Sequence, residues 1–339
     1  MYRLPRKHAL LLVLFGTAVF LYSSSGASLW LHRFRNVSSQ LPLFNVSHED
    51  SLTLELCPEV PPGLEGPIRP DLRHAKLEEL EKMYPTLGMG GHWKPEICKA
   101  RQRVAIIVPF RNRENHLPIF LQNLHPLLQK QQLDYTIFVV EQIKNQKFNR
   151  AKLMNVGFVE ARKLYDWQCY IFHDVDLIPE NDKNMYSCMD RPKHMAVAVD
   201  KFNYELYWRD IVGGAAAFTR EQMEKVNGFS NDYWGWGGED NDMYKRAILA
   251  RYKIHRDNTT ITRYKMIKHG SDKDNQQNNC RGRLIGATKK RWKKDGLNSL
   301  NYTLLSMIKK PLFTYMMADM LEKESKEALK KENSSYVSC

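Results

Sequence analysis

Arg103 to Pro109 (RVAIIVP), Tyr135 to Glu141 (YTIFVVE) and Cys169 to Phe172 (CYIF) are three short apolar runs whose order decides the fold. Each is rich in β-branched or aromatic residues and too short for an ordinary helix, so each reads as a buried strand. A polar turn and a helical stretch near His116 to Gln131 separate the first two, and Phe148 to Tyr165 reads as helix between the second and third. Met195 to Val199 is expected as a fourth strand. Strand and helix alternate, which predicts an α/β domain with a mostly parallel central sheet flanked by helices. Ligands on such a sheet sit outside the C-terminal strand ends. Further along, Thr219-Arg-Glu-Gln222 has the spacing of a capping box opening a short helix that stops near Gly228, and a second helix is expected from Glu239 to about Ala250. The chain carries no internal repeat and no low-complexity segment.

At 339 residues the chain can hold one large domain or two small ones with ample core. Arg3, Arg6, Lys7 and His8 precede an uncharged span over 9–31, read here as a transmembrane signal anchor with 1–8 as its cytoplasmic tail. A cleaved signal peptide is the competing reading, because Ser23 to Ser28 is rich in small residues. Either way the remainder is translocated, and sequons at Asn36, Asn45, Asn258, Asn301 and Asn333 agree with a secretory route. Six cysteines without a C-x-x-C pair favour disulfides over zinc. The formal charge of +13 and the basic stretch from Lys253 to Lys294 would suit a nucleic acid, but the compartment argues against that partner. A groove for an anionic phosphate donor, or a solvated face, explains the same charge. The organisation expected is a luminal stem over 32–56, a catalytic domain over 57–320 and a polar C-terminal tail over 321–339.

Chemistry concentrates in three places. Trp234 to Asp242 (WGWGGEDND) combines indole rings, glycines and acids. Glycine lets backbone approach a ligand, Trp offers a platform for a sugar face, and a neighbouring carboxylate can take a hydroxyl proton. The plainer reading is a turn followed by a helix whose first-turn acids complement its dipole. In Phe172-His-Asp-Val-Asp-Leu177, Asp174 and Asp176 lie two apart as an apolar strand runs out, so both carboxylates point one way and can share a cation. Such a pair also recurs in ordinary loops. Met266-Ile-Lys-His269 offers a thioether and an imidazole three residues apart, a spacing that by itself is more often packing than metal.

Taken together and in order, Arg103 to Glu114, Phe148 to Leu153, Phe172 to Leu177, Gly213-Gly214, Val226-Asn-Gly-Phe229, Tyr233 to Asp242 and Met266 to His269 closely resemble the β-1,4-galactosyltransferase family. These are Golgi type II membrane glycosyltransferases, and the resemblance runs from about Cys57 to Leu312. It implies a GT-A fold, a Golgi membrane location with the catalytic domain luminal, and inverting, Mn²⁺-dependent transfer from a UDP-hexose to a terminal β-linked GlcNAc. Carried over residue by residue, it puts Asp176, Met266 and His269 at the manganese positions and Asp174 and Val175 beside the nucleotide. Pro109, Phe110, Arg111, Arg113, Phe148 and Arg150 match the nucleotide-binding strand ends, where Arg can clamp phosphate and an aromatic can face uracil. Trp236 matches a mobile indole over the donor, and Gly238, Glu239 and Asp240 match the acceptor and catalytic positions, with Asp240 as general base. The polar segment from Met266 to Ile285 matches a loop that closes over the donor. Cys57 pairs with Cys98 and Cys169 with Cys188 on this resemblance; Cys280 and Cys339 are left to stay free, pair together or link chains. A homodimer or an accessory membrane protein is compatible with it.

One departure bears on the donor. Galactose-transferring members carry tyrosine where this chain has Ile211, whereas N-acetylgalactosaminyl-transferring members have a smaller aliphatic residue there. Isoleucine leaves room for an N-acetyl group, so UDP-GalNAc is expected over UDP-Gal. Trp208 stands where a tyrosine is usual in the acceptor region and keeps a sugar platform. Two competing readings are a UDP-Gal-dependent β-1,4-galactosyltransferase and a non-catalytic luminal sugar-binding protein of the same fold. Intact Asp176, His269, Trp236 and Asp240 count against the second.

Overall fold

The computed structural model describes residues 54–332 except 75, 269 and 271–274. The expected anchor, most of the stem, His269, Cys339 and the sequons at Asn36, Asn45 and Asn333 lie outside the described residues. No helix among the described residues is long and apolar enough to cross a membrane.

Three parallel strands form the centre: β1 (Arg103–Phe110) pairs on one side with β2 (Asp134–Gln142) and on the other with β3 (Cys169–His173). Their interior residues are fully buried on both faces, which is why the sequence shows continuous apolar runs rather than alternation. The crossovers contain α2 (Leu117–Lys130) and α3 (Arg150–Ala161), following α1 (Leu77–Met83) in the irregular lead-in. β10 (Thr314–Asp319) extends the parallel set beside β2, and β9 (Thr303–Lys309) pairs antiparallel to β10. On the far side, β7 (Ala215–Thr219) runs antiparallel to β3 and β5 (Lys193–His194) antiparallel to β7. The seven-stranded order is β5-β7-β3-β1-β2-β10-β9. A three-stranded sheet, β4 (Leu177–Pro179), β8 (Arg263–Met266) and β6 (Ala198–Val199), joins the segment after β3 to the segment before His269.

Two expectations need correction. The strand expected over Met195 to Val199 is divided: β5 ends before it in the large sheet, and only Ala198 and Val199 are strand, in the small one. The chain switches sheets between them, so no continuous ladder forms. The polar tail expected over 321–339 begins as α7 (Glu322–Glu332), whose Leu329 is buried in a cluster with Tyr233, Cys280 and Leu284. Its polar composition reflects a docked helix with one apolar contact, and a boundary at 320 would cut it off. The short α4 (Arg220–Lys225) opens with the expected capping box at Thr219 and Gln222, and α5 (Glu239–Leu249) begins at the expected acid. Cys57–Cys98 and Cys169–Cys188 are bonded, and Cys280 is also in a disulfide.

Candidate active site

β3 ends at His173, a buried imidazole held near a pKa of about 4 by burial and bonded to the Tyr186 hydroxyl at 2.8 Å. The next residues turn out of the sheet. Asp174 donates its backbone N–H to the Gly214 carbonyl at 2.8 Å, and the Asp176 backbone carbonyl accepts from the Ile267 N–H at 2.7 Å. Since Leu177 pairs with Met266 across β4 and β8, the acid and the thioether expected as joint ligands are brought together. His269 lies outside the described residues, and among those described no cluster of three or more His, Cys, Asp or Glu could hold a metal.

Arg150, at the start of α3, organises the acids. Its helix is capped by Asn149, whose side chain accepts from the Lys152 N–H at 2.9 Å. The guanidinium donates to Asp174 at 2.6 Å and to Asp240 at 2.9 Å, with Glu239 3.6 Å away. Burial works against its charge, yet Asp174, Asp240 and Glu239 outweigh it and hold Arg150 above the ordinary guanidinium range. One cation cannot neutralise the whole acidic group. Burial pushes Asp174 up to about 6 despite Arg150. Burial, then the Asp240 charge, pushes Glu239 up to about 7 against the pull of Arg150.

Glu239 and Asp240 stand at the N-terminus of α5, entered through Gly238 at φ 102°, a left-handed conformation suited to glycine. At Gly213 the requirement is space: a Cβ there would collide with the Asp240 carboxylate, so the glycine lets that acid lie against the strand end. Beneath α5, Arg246 is fully buried and bonds Asp242 at 2.5 Å and Asp295 at 2.9 Å. Thr288 adds a hydroxyl to Asp242 at 2.6 Å.

These groups open into a cavity of about 810 Å³, whose lining includes Asp174, Gly213, Trp236, Gly238, Glu239, Asp240 and Met266. Ile211 and Trp208 line it too. Arg256 fixes the loop carrying them by donating to the carbonyls of Arg209 at 2.8 Å and Ile211 at 2.9 Å. Trp208 is 59% exposed, and beside it Tyr207 stacks on Phe202 with ring centroids 4.3 Å apart. Trp236 is 58% exposed, while its backbone is bound to Gln276 and Asn278 at 3.0 and 2.9 Å. Its ring lies 5.9 Å from the Arg281 guanidinium. The indole is thus presented to the cavity by a main chain tied to the loop opposite.

The expected nucleotide residues divide. Arg150 and Asp174 belong to the main site, but Arg111 faces a neighbouring depression of about 530 Å³ that also has Lys144, Lys147 and Glu322 on its walls. Arg111 lies over the Phe148 ring at 4.7 Å and donates to the Gln146 carbonyl at 2.6 Å. Pro109, Phe110 and Val175 are buried, with Phe110 and Val175 in the core, so Phe148 is the aromatic of this set left half-buried at the surface. Arg113 bonds the neighbouring Asn112 carbonyl at 2.8 Å.

The polar segment expected from Met266 to Ile285 supplies a wall of the cavity, but its end is helix and not loop. Gln277, Arg281 and Ile285 line the cavity, the last two from α6 (Arg281–Arg291). Their four-residue spacing puts them on one helical face. Lys245 and Tyr207 were not anticipated as lining residues.

The family model for the N-terminal region of glycosyl transferase group 7 matches residues 57–189, and the model described as the N-terminal domain of galactosyltransferase matches 193–270. Beta-1,4-galactosyltransferase 4 of Cricetulus griseus is 48% identical over 274 residues, covering 80% of this chain and 78% of the relative. Human beta-1,4-galactosyltransferase 1 is 45% identical over 284 residues, covering 84% and 71%. The catalytic domain of Drosophila beta1,4galactosyltransferase 7, crystallised with xylobiose, superposes with a TM-score of 0.56 at 31% identity, over 65% of this chain and 94% of that one. A mutant of the same Drosophila enzyme was crystallised with manganese, UDP-Gal and xylobiose. With matched models on both halves, relatives near half identity over most of their length, and the GT-A arrangement of strand-end acids, the chain belongs to the β-1,4-galactosyltransferase family.

Proposed function

We propose that this protein is an inverting, Mn²⁺-dependent glycosyltransferase moving GalNAc from UDP-GalNAc to O4 of a terminal β-GlcNAc on glycoprotein or glycolipid glycans, anchored in the Golgi membrane with its catalytic domain luminal. Ile211 carries the donor choice. It lines the same cavity as Asp240, and its backbone is fixed by Arg256, so the aliphatic side chain is a built part of the site. A tyrosine there would fill space that a 2-N-acetyl group needs and would offer a hydroxyl instead of apolar contact for its methyl.

The residues fit a divalent cation. Asp174, Glu239 and Asp240 crowd around Arg150, and Asp176 lies two residues beyond Asp174, so the site carries surplus negative charge. Asp176 and Met266, with His269, would hold the ion, and a carboxylate, a thioether and an imidazole leave positions for diphosphate oxygens. When bound, the ion stabilises the negative charge leaving with UDP. Arg150 and Arg111 supply positive charge for the nucleotide. Asp240, with its side chain 30% exposed and steadied by Arg150, takes the proton of the acceptor 4-hydroxyl. That oxygen bonds to the anomeric carbon as the bond to UDP breaks, in one step that inverts configuration. Glu239 Oε2 is buried and has no hydrogen-bond partner, so it suits a sugar hydroxyl that arrives with substrate. Trp236 and Trp208 supply apolar faces for the sugars.

A second reading, UDP-Gal as donor, is favoured by the names of the relatives described above, which are galactosyltransferases, and by the UDP-Gal of the Drosophila complex. Competition between UDP-GalNAc and UDP-Gal on a GlcNAc-terminated acceptor with Mn²⁺ decides between them. The expected result is a higher kcat/KM for UDP-GalNAc, and Ile211→Tyr should move the ratio towards galactose. A wild-type preference for UDP-Gal would overturn the donor assignment. Transfer from neither donor would favour a sugar-binding protein.

A further inference from the structure

The C-terminal helix packs behind the wall of the cavity that abuts the entry to α5. α7 is polar apart from Ala328 and Leu329, and Leu329 is its one buried residue, at 3% exposure. That leucine clusters with Tyr233, Cys280 and Leu284, with Ile285 and Ala287 packed against the group. Tyr233 leads into the segment that presents Trp236, while Leu284 belongs to the turn of α6 that carries Arg281 and Ile285 to the cavity.

Polar tethers on either side hold α7 in place. The Lys147 N–H donates to Glu322 at 2.8 Å, and the Lys152 ammonium donates to the Ser325 hydroxyl at 2.8 Å. At the other end Glu332 lies 3.3 Å from Arg291, which also bonds Asp232, the residue before Tyr233. These polar contacts lock the direction of the helix, and the apolar fit against the wall comes through Leu329.

We propose that Leu329 is a positioning residue: through Tyr233 and Leu284 it fixes the wall bearing Arg281 and Ile285, and so sets affinity for the acceptor sugar. The inference rests on the transferase reading. The wall abuts the entry to α5, where Tyr233 and Arg281 pack against Gly238 next to Glu239, whereas Arg150, Asp174 and Asp176 lie on or beside α3, β3 and β4, which Leu329 does not touch in its cluster. A loosened wall should therefore weaken acceptor binding and leave the nucleotide largely unaffected.

The test compares the wild-type protein with Leu329→Ser, Leu329→Ala and Leu329→Met, each checked for a cooperative thermal melt. In Leu329→Ser, or in Leu329→Ala if the serine variant does not fold, acceptor KM should rise by about tenfold, because small misplacements of binding groups are costly. The UDP-sugar KM should stay within about twofold, where the free-energy change is small, and Leu329→Met should recover the acceptor KM. An unchanged acceptor KM in a folded variant, or equal loss for both substrates, would overturn the proposal. Calorimetric binding of a GlcNAc-terminated oligosaccharide in the presence of UDP gives the same comparison without turnover. Absence of transfer by the wild type would count against the transferase reading, while equal oligosaccharide affinity in wild type and variant would count against the role of Leu329.

Discussion

Glu239 and Asp240 are neighbours in sequence with different surroundings, and that difference divides their work. The Asp240 carboxylate lies against Gly213, takes a 2.9 Å bond from Arg150 and is 30% exposed, whereas the Glu239 side chain is only 12% exposed. Glu239 is pushed up to about 7 by burial and by the charge of Asp240, against Arg150. A carboxyl raised this way stays protonated below that value, so it loses its charge and becomes a weaker acceptor of a sugar hydroxyl as pH falls through about 7. The kcat/KM profile should accordingly show an acid limb near neutrality, which Glu239→Gln should remove while leaving residual transfer. Asp240→Asn should instead lower kcat by about a hundred- to ten-thousandfold at every pH, as expected on loss of a general base. An unaltered limb in Glu239→Gln, or near-normal turnover in Asp240→Asn, would reverse the assignment. At this scale the sequence displayed the acids and glycines but not their contacts. The meeting of Gly213 with Asp240, or of Arg150 with Asp174, depends on partners far apart in the chain.

Helices and strands with strong local signals were legible, and those made by long-range pairing were not. α5 begins at Glu239 because glycine precedes it and three acids occupy its first turn, all visible in sequence. β5 and β6 have two residues each and belong to different sheets, so no local period distinguishes them from loop. The support beneath α5 is equally hidden. Asp242, Arg246, Thr288 and Asp295 meet only after α5 and α6 pack, and Arg246 is then fully buried between two carboxylates. Removing one partner of such a cluster leaves uncompensated charge, a cost of about 3–5 kcal/mol. Arg246→Ala should lower unfolding stability by about that amount in urea titrations, whereas an exposed change such as Lys289→Ala should alter it little. A loss of less than about 1 kcal/mol, the range of surface pairs, would show that the network does not anchor the helix carrying the catalytic acids.

Across the whole molecule, the order of motifs identified the family, because the parallel sheet gathers strand ends that are distant in sequence. The missing part was the periphery: β9, β10 and α7 depend on docking partners and carry weak patterns of their own. β9 is the outermost strand of the large sheet among the described residues, and Leu305 and Ile308 on it are 53% and 49% exposed. An open apolar edge invites pairing with another chain unless something covers it. Asn301 is exposed immediately before β9, in the sequon Asn301-Tyr-Thr303, and Tyr302 is anchored by its hydroxyl to Glu160. A glycan at Asn301 would therefore stand at the mouth of this edge. Asn258 makes the natural control: it is also exposed, but it belongs to no strand, and its side-chain oxygen accepts from the Thr260 N–H and hydroxyl in a tight turn. Protein expressed in eukaryotic cells should carry a glycan on the Asn301 peptide by mass spectrometry. Asn301→Gln and Thr303→Ala should both produce concentration-dependent self-association by light scattering, and adding Leu305→Lys should reverse it, while Asn258→Gln stays monodisperse as the parent does. An unmodified Asn301 peptide, or deglycosylated variants that associate no more than the parent, would mean that the exposed edge is protected by its own twist and bulge at Leu305 and not by sugar.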